Sequence, residues 1–384
     1  MDNENKDKFL SVLKGIPTWT KVLVSVILVV LISVGLLLGT TGGRNLVYKV
    51  IVGIVFDNIK EDPSELEEIS TIPGLTESLT PEPTTEPNQN PDETPAVTEE
   101  PTFTPEPTAT PKPLVNLMDD EDIINVLLVG VENIYGAKYG RTDAMILVSV
   151  NLNGGPLKMV SFQRDLYVDI PGREADDRLN AAFAFGGPNL LIDTMELNFG
   201  VDIDSYVKVN FEGFEDIIDR LGGLEISLTA KEAEYLSGKG KEYISKPSER
   251  NVVAGTQTLT GSQVLGYCRV RYIPTENGLR DDRGRNYRHR VVLQAIFDQY
   301  KSKNITELIT VMKECFTYVS APSNLEDLIV ECLYAVIENK MYEIETMQMP
   351  QSGNYNESKI ADQQVIVFHP EAVEELQDFL YGDE

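Results

Sequence analysis

Seven arginines fall in one short run: Arg269, Arg271, Arg280, Arg283, Arg285, Arg288 and Arg290. The whole chain carries a formal charge of -28. A dense basic run in so acidic a protein points to a local anion site, not to a generally basic surface. Arginine suits that role, because its planar fork grips phosphate with paired hydrogen bonds and stays charged at any relevant pH. The competing reading is a salt-bridged, solvated helix face, since Glu276, Asp281 and Asp282 lie within the run.

A second group of charges lies upstream. Glu132 follows one apolar run, Arg141 and Asp143 precede the next, and Arg164 and Asp165 follow a third. Strand ends and their adjoining loops are where α/β sheets place ligands. Glu132 and Asp143 at neighbouring strand mouths are suited to one hard divalent cation, because magnesium takes one or two carboxylates plus phosphate oxygens. Arg141 and Arg164 would then join the later arginines around a phosphate or pyrophosphate. The alternative is that each Arg/Asp pair is a structural salt bridge, Arg164–Asp165 above all. No glycine-rich phosphate loop, Gly-x-Ser-x-Gly elbow, dinucleotide fingerprint or Cys/His metal cluster is present. Two histidines, His289 and His369, are too few for a histidine-built zinc site.

The elements that must position these residues begin near Leu114. Ile123–Val129, Ala144–Leu152 and Leu157–Phe162 are continuous branched apolar runs, the pattern of strands covered on both faces. Pro188–Phe199 and Phe211–Leu221 are amphipathic and followed by glycine, as helices often are. Ser205–Val209 and Leu224–Leu228 read as strands beside the second of these. Thr260–Tyr267, Arg283–Tyr300, Ile305–Val319, Asn324–Glu338 and Glu371–Leu380 read as helices, and Tyr342–Met349 and Gln364–Phe368 as late strands. Lys231–Asn251 is polar and pattern-poor, an expected exposed excursion. The mixture predicts one layered α/β domain over 114–384, with helices on both faces of a sheet.

The 113 residues before it read differently. Lysines 6, 8, 14 and 21 precede an uncharged run, 22–43, whose apolar part, Val22–Leu38, is at the short end for a membrane span. Trp19 stands just before it, where an interfacial anchor belongs. A cleaved signal peptide is the rival, but the small-residue cleavage pattern is missing and apolar sequence resumes at Leu46–Ile59. The expectation is a cytoplasmic tail (1–21), a single transmembrane helix (22–43) with its N-terminus inside, and a juxtamembrane segment (44–61). Residues 62–113 hold 12 of the 21 prolines and 12 acidic residues against one basic residue. Such a segment cannot bury a core. It stays extended through polyproline-II preference and charge repulsion, as a disordered spacer. Cys268, Cys315 and Cys332 imply no disulfide framework, although Cys315 and Cys332 could pair if their helices face each other.

Gly140-Arg-Thr-Asp143-Ala-Met-Ile-Leu-Val-Ser149, Val160-Ser-Phe-Gln-Arg-Asp165, Asp177-Arg-Leu-Asn180, Val209-Asn-Phe-Glu-Gly-Phe214, and Leu259-Thr-Gly-Ser-Gln-Val-Leu-Gly-Tyr267 leading into Arg269-Val-Arg271 occur in order. Together they resemble the LytR–CpsA–Psr family. The tail, span and outer domain match that family's layout. The resemblance implies a mixed central sheet with an apolar lipid tunnel. It also implies an enzyme of a Gram-positive-type envelope that moves a glycopolymer, such as teichoic acid or capsule, from a polyprenyl-pyrophosphate carrier onto peptidoglycan. Magnesium would sit on the pyrophosphate, and pyrophosphate hydrolysis is a possible side activity. Residue by residue, Asp143 and Glu132 take the metal-ligand positions, with Glu132 replacing the family's usual aspartate. Arg141, Arg164, Arg269 and Arg271 take catalytic phosphate contacts. Arg178 stands where a lysine is common. Arg285, Arg288 and His289 continue the phosphate set, with His289 in place of a glutamine. On a helix these three share one face. His289 either donates to a phosphate, adds a group titrating near neutrality, or is a satisfied surface histidine. Asp165 and Asp282 are the proton-acceptor candidates. Arg280, Arg283 and Arg290 read as solvent-facing or as acceptor-glycan contacts. The rivals are a non-catalytic polyprenyl-phosphate-binding module and an envelope-related transcription attenuator; the acidity and the short tail speak against nucleic acid.

Overall fold

The apolar runs do pair as strands in the computed structural model, which describes residues 49–50, 53, 60–61, 115–132, 139–301, 305–338 and 343–382. In chain order the strands are β1 (Lys60–Glu61), β2 (Ile123–Glu132), β3 (Arg141–Asn151), β4 (Leu157–Phe162), β5 (Tyr167–Val168), β6 (Asp177–Arg178), β7 (Ser205–Asn210), β8 (Leu224–Leu228), β9 (Gly255–Leu259), β10 (Val319–Ala321), β11 (Ile344–Met349), β12 (Tyr355–Ile360) and β13 (Gln363–Phe368). The helices are α1 (Leu179–Phe199), α2 (Phe211–Arg220), α3 (Ala230–Ser237), α4 (Gly261–Arg269), α5 (Asp281–Tyr300), α6 (Ile305–Cys315), α7 (Leu325–Glu338) and α8 (Pro370–Tyr381). The expected span and linker lie outside the described residues. Among the described residues, no helix is long and apolar enough to cross a membrane.

Seven strands form one mixed sheet in the order β1-β10-β7-β2-β3-β4-β11. β2 runs antiparallel to β3 and parallel to β7, and β4 runs parallel to β11. Alternation along β2 and β3 divides the sheet's two faces. Leu127, Val129, Val131, Met145 and Leu147 face a core completed by α1 and α8. Leu128, Gly130 and Ile146 face the other way, into a cavity roofed by α2, α4 and α5. A second core ties β8 and β9 to α3, α4 and α5.

Four departures from the pattern reading have physical causes. α1 begins at Leu179, ahead of Pro188, because Gly187 leaves helical geometry (φ 72°, ψ -157°) and lets the proline open a second segment. A Cβ on Gly187 would come within 2.8 Å of the Tyr139 ring, so glycine is needed for packing as well as backbone. The stretch 231–251 is not an exposed excursion. Its sparse apolar residues Ala233, Leu236 and Ile244 lack a regular period but are buried in the second core. The last turn expected of α6 is instead a 3-10 turn over Phe316–Tyr318, after which Val319 opens strand β10 and pairs with β7. The Tyr355–Ile360 strand was illegible because its residues are mostly polar and partly exposed, in a two-stranded hairpin with β13. All three cysteines are free, so Cys315 and Cys332 do not pair.

An acidic group gathers at the far end of β2, away from the arginines. Glu196 of α1 lies near Asp193, Asp202 and Asp204, and burial first, then these charges, pushes its carboxyl up to about 7. In the unfolded chain it titrates near 4.5. Between those values the native state binds more protons than the unfolded one, so stability falls as pH rises. Glu196→Gln keeps the acceptor for the Ile203 amide (3.2 Å in the parent) and removes the titration. The variant should match the parent near pH 4 and be more stable at pH 8. Equal stability of the two at pH 8 in chemical denaturation would contradict this.

Candidate active site

The β2/β3 ladder runs in register from Ile123↔Asn151 to Gly130↔Ala144, then resumes with Val131↔Thr142. Asp143 is therefore the extra residue of a β-bulge, a device that re-aims a side chain out of the ladder. Its carboxylate meets two guanidiniums. Arg164 Nη1 donates to Asp143 Oδ1 at 2.7 Å, and Arg285 Nη1 donates to the same oxygen at 3.2 Å. Arg164 sits on the turn after β4. Backbone bonds from Gln163 N to Met349 O (3.1 Å), Asn180 N to Arg164 O (3.2 Å) and Ile366 N to Asp165 O (2.8 Å) pin that turn.

Asp282 gathers the remaining charges. Arg164 Nε donates to its Oδ2 at 3.2 Å. Arg271 Nε and Arg285 Nη2 lie 3.0 and 3.2 Å from its Oδ1. It occupies the first turn of α5, where the helix dipole also favours an anion. The preceding Asp281 adopts φ 55°, a strained left-handed conformation that starts the helix at this angle. Burial alone would raise the Asp282 carboxyl, but the contact with Asp165 and the Arg285, Arg164 and Arg271 cations hold it well below the usual range. Asp165 goes the other way. Burial, then the neighbouring Asp282, raises it despite Arg164 and Arg178. Of the two proton-acceptor candidates, Asp282 is quenched by arginines and Asp165 retains proton affinity.

These charges stand at the mouth of a cavity of about 370 Å³. Asp143, Arg164, Arg269, Arg271, Arg285 and His289 line its polar end, and Leu128, Ile146, Val207, Val209, Phe214, Ile217, Leu265, Val292, Leu293 and Ile296 line the rest. Arg269 is held by rings, its guanidinium 5.3 Å from the Phe211 centroid and 5.2 Å from Tyr243. Several buried polar atoms here lack a well-aligned partner: Arg271 Nε, Arg285 Nε and Nη2, Asp165 Oδ1 and Asp282 Oδ1. Arg285 Nε has no ion pair among the described residues, and a buried cationic donor beside an apolar cavity suits an anionic ligand with an apolar body.

The structure brings together Asp143, Arg164, Arg269, Arg271, Arg285 and His289, and it separates others. Arg288 is fully buried on another side of α5. Its Nε donates to Glu232 Oε1 at 2.9 Å, and its Nη1 and Nη2 to the Val270 and Ile273 carbonyls at 3.0 and 2.8 Å. It is a structural cation, not a phosphate contact, because helical spacing fixes an arc and not what packs on it. Arg178 turns to Asp165 (Nη1–Oδ1 3.4 Å) and the Gln364 carbonyl, and does not line the cavity. Arg141 is exposed, opposite Glu132 in the ladder. His289 is no neutral-pH titrating group: burial first, then the Arg285 charge, pushes its imidazole down to about 3. Sequence reasoning missed Asn210, Phe211 and Tyr243, whose types carry no signal until the fold places them on the cavity wall.

A magnesium ion fits the donor set in a limited way. Among the described residues no group of three or more His, Cys, Asp or Glu side chains could hold a metal. Magnesium needs only one or two carboxylates when phosphate oxygens and water complete its shell. Both ion pairs of Asp143 use Oδ1, and Glu132 shares the cavity-facing parity of Leu128 and Gly130 at the end of β2.

The LytR_cpsA_psr family profile matches residues 90–377. The polyisoprenyl-teichoic acid–peptidoglycan teichoic acid transferase TagU of Oceanobacillus iheyensis is 38% identical over 192 residues, 48% of this chain and 54% of that protein. TagU of Bacillus subtilis is 35% identical over 193 residues, 50% and 56% of the two chains. The chain spans about half the length of the curated relatives it matches. A solved structure of TagT bound to LI-WTA is 27% identical with a TM-score of 0.51, over 68% of this chain and 91% of that one.

Proposed function

The chain belongs to the LytR_cpsA_psr family, and on that premise we propose that it transfers a glycopolymer of the teichoic acid class from a polyprenyl-pyrophosphate carrier to peptidoglycan, as a single-pass enzyme with its α/β domain outside the membrane. The observation that carries the proposal is an apolar cavity whose mouth is ringed by Arg164, Arg269, Arg271 and Arg285. The cavity suits a polyprenyl tail and the mouth suits its pyrophosphate. The names of the TagU relatives and of the ligand-bound TagT support the substrate class.

Phosphoryl transfer asks mainly for positioning and charge neutralisation. The four arginines hold the pyrophosphate and stabilise charge building on the transferred phosphorus. Glu132 and Asp143 would hold a magnesium ion, which when bound neutralises pyrophosphate charge and favours departure of polyprenyl phosphate. A glycan hydroxyl forms the new P–O bond while the bond to polyprenyl phosphate breaks and that group leaves with the electron pair. Asp165 takes up the hydroxyl proton. The apolar wall keeps the leaving lipid out of water.

The test is full-length protein with a lipid-pyrophosphate glycan, magnesium and uncross-linked peptidoglycan. Transfer and polyprenyl phosphate release are expected, and Asp143→Ala should lower both at least about a hundredfold. Lipid binding with neither release nor transfer would replace this reading with a carrier-binding module.

A further inference from the structure

Helix α5 has a second functional face. Arg285, His289, Val292, Leu293 and Ile296 look into the apolar cavity. Arg283 lies roughly 160° round the helix from Arg285. It lines a separate groove of about 310 Å³, formed with Thr346 and Gln348 of β11 and with Gln351 and Ser352 just beyond. The groove adjoins the charged knot along two stretches of chain. Asp282 and Arg283 are adjacent in sequence, and the Gln163 amide beside Arg164 donates to Met349 O at 3.1 Å, between the groove residues Gln348 and Pro350. Asn286 of α5 donates to Phe162 O at 3.3 Å, which fixes the helix over this part of the sheet.

Among the arginines of the run, Arg283 is the one that lines this groove. Arg271, Arg285 and Arg288 are each paired with a carboxylate. Arg283 is half-buried, and among the described residues no carboxylate pairs with it. The neighbouring Arg280 is exposed and does not line the groove. The groove's other polar groups are neutral amides and hydroxyls, set beside apolar patches from Leu279, Pro350 and Phe379. Sugar rings present hydroxyl edges and apolar faces, and amides are balanced donor–acceptor partners for their substituents. One unpaired guanidinium adds a preference for a carboxylate. An attacking hydroxyl must also approach the phosphorus from the side opposite the lipid leaving group, which the proposed function places in the apolar cavity.

We propose that the Arg283 groove is the acceptor subsite, binding a glycan chain whose sugars carry amide and carboxylate substituents and directing it toward the phosphate held by Arg164 and Arg285. This rests on the transferase reading and names where its acceptor binds. The probe is a fluorescently labelled, uncross-linked peptidoglycan strand, titrated into the full chain in detergent micelles. Arg283→Glu should raise the dissociation constant about tenfold or more, and Gln348→Ala severalfold. Lys359→Glu, on the exposed β12–β13 hairpin, should leave it unchanged, and binding of the polyprenyl-pyrophosphate donor should be unchanged in all three. Strand affinity equal to the parent's in both groove variants overturns the subsite, and so does a parent that binds no strand. Transfer is read separately. A parent that binds strands through Arg283 yet transfers nothing removes the transferase reading and leaves the groove standing.

Discussion

Replacing Arg164 with alanine is expected to lower the rate of glycopolymer transfer by about 10²–10³-fold, the loss typical of deleting one pre-aimed charge donor. Arg164 contacts Asp143 at 2.7 Å, Asp282 at 3.2 Å and Asp165 at 3.8 Å. Without it, three carboxylates share the cavity mouth with one fewer cation. On the proposed function the phosphate loses a contact, and Asp143 loses the shorter of its two ion pairs. Arg164→Lys keeps the charge but not the fork, so it should recover only part of the rate, because a point charge cannot bridge two carboxylates. Single-turnover release of polyprenyl phosphate measures the effect, with donor binding followed separately. A rate within tenfold of the parent for Arg164→Ala would show that the charge is structural, as the salt-bridge reading of Arg164–Asp165 holds.

The second large effect is on stability. Glu232→Ala should destabilise the domain by about 3–5 kcal/mol, because it leaves the Arg288 guanidinium buried without a counter-charge. Arg288 is fully inaccessible and Glu232 is 2% exposed. Glu232 Oε1 receives Arg288 Nε at 2.9 Å, while its Oε2 receives the Thr229 amide at 2.9 Å as the capping box of α3. One substitution thus breaks a buried pair and a helix cap. For a domain of this size the loss corresponds to a fall of roughly 10 °C in Tm. Glu232→Leu combined with Arg288→Met should recover much of it, since removing both charges avoids the uncompensated one. A thermal shift under about 2 °C for Glu232→Ala would mean that the pair is solvated.

Both predictions turn on arginines whose types and neighbours the sequence displays and whose roles it does not. Arg285, Arg288 and His289 are spaced to share a helical arc, and that spacing holds in α5. Arg285 and His289 meet the cavity, while Arg288, at the arc's edge, meets Glu232 from a helix that the polar stretch 231–251 concealed. Asp143 was legible as a strand-end acid. Its aim came from a bulge, and a one-residue irregularity in register leaves no trace in hydrophobic alternation. Asp165 and Asp282 were interchangeable as proton acceptors until the arginines around each were counted in space.

Local chemistry therefore determined a good deal by itself: the branched strands, the glycine-ended helices, the acidic proline-rich segment before the domain, and two distant sets of arginines and acids at strand and helix ends. Those properties depend on composition and short periods, which a linear chain carries in full. The tertiary structure decided which arginines line the apolar cavity, which is sealed against a buried glutamate, and which lines a second groove with no carboxylate partner among the described residues. Ion pairing and burial join residues more than fifty positions apart, as with Arg288 and Glu232 or Arg164 and Asp282. A guanidinium's role depends on what closes around it, and that partner is fixed only when the chain folds.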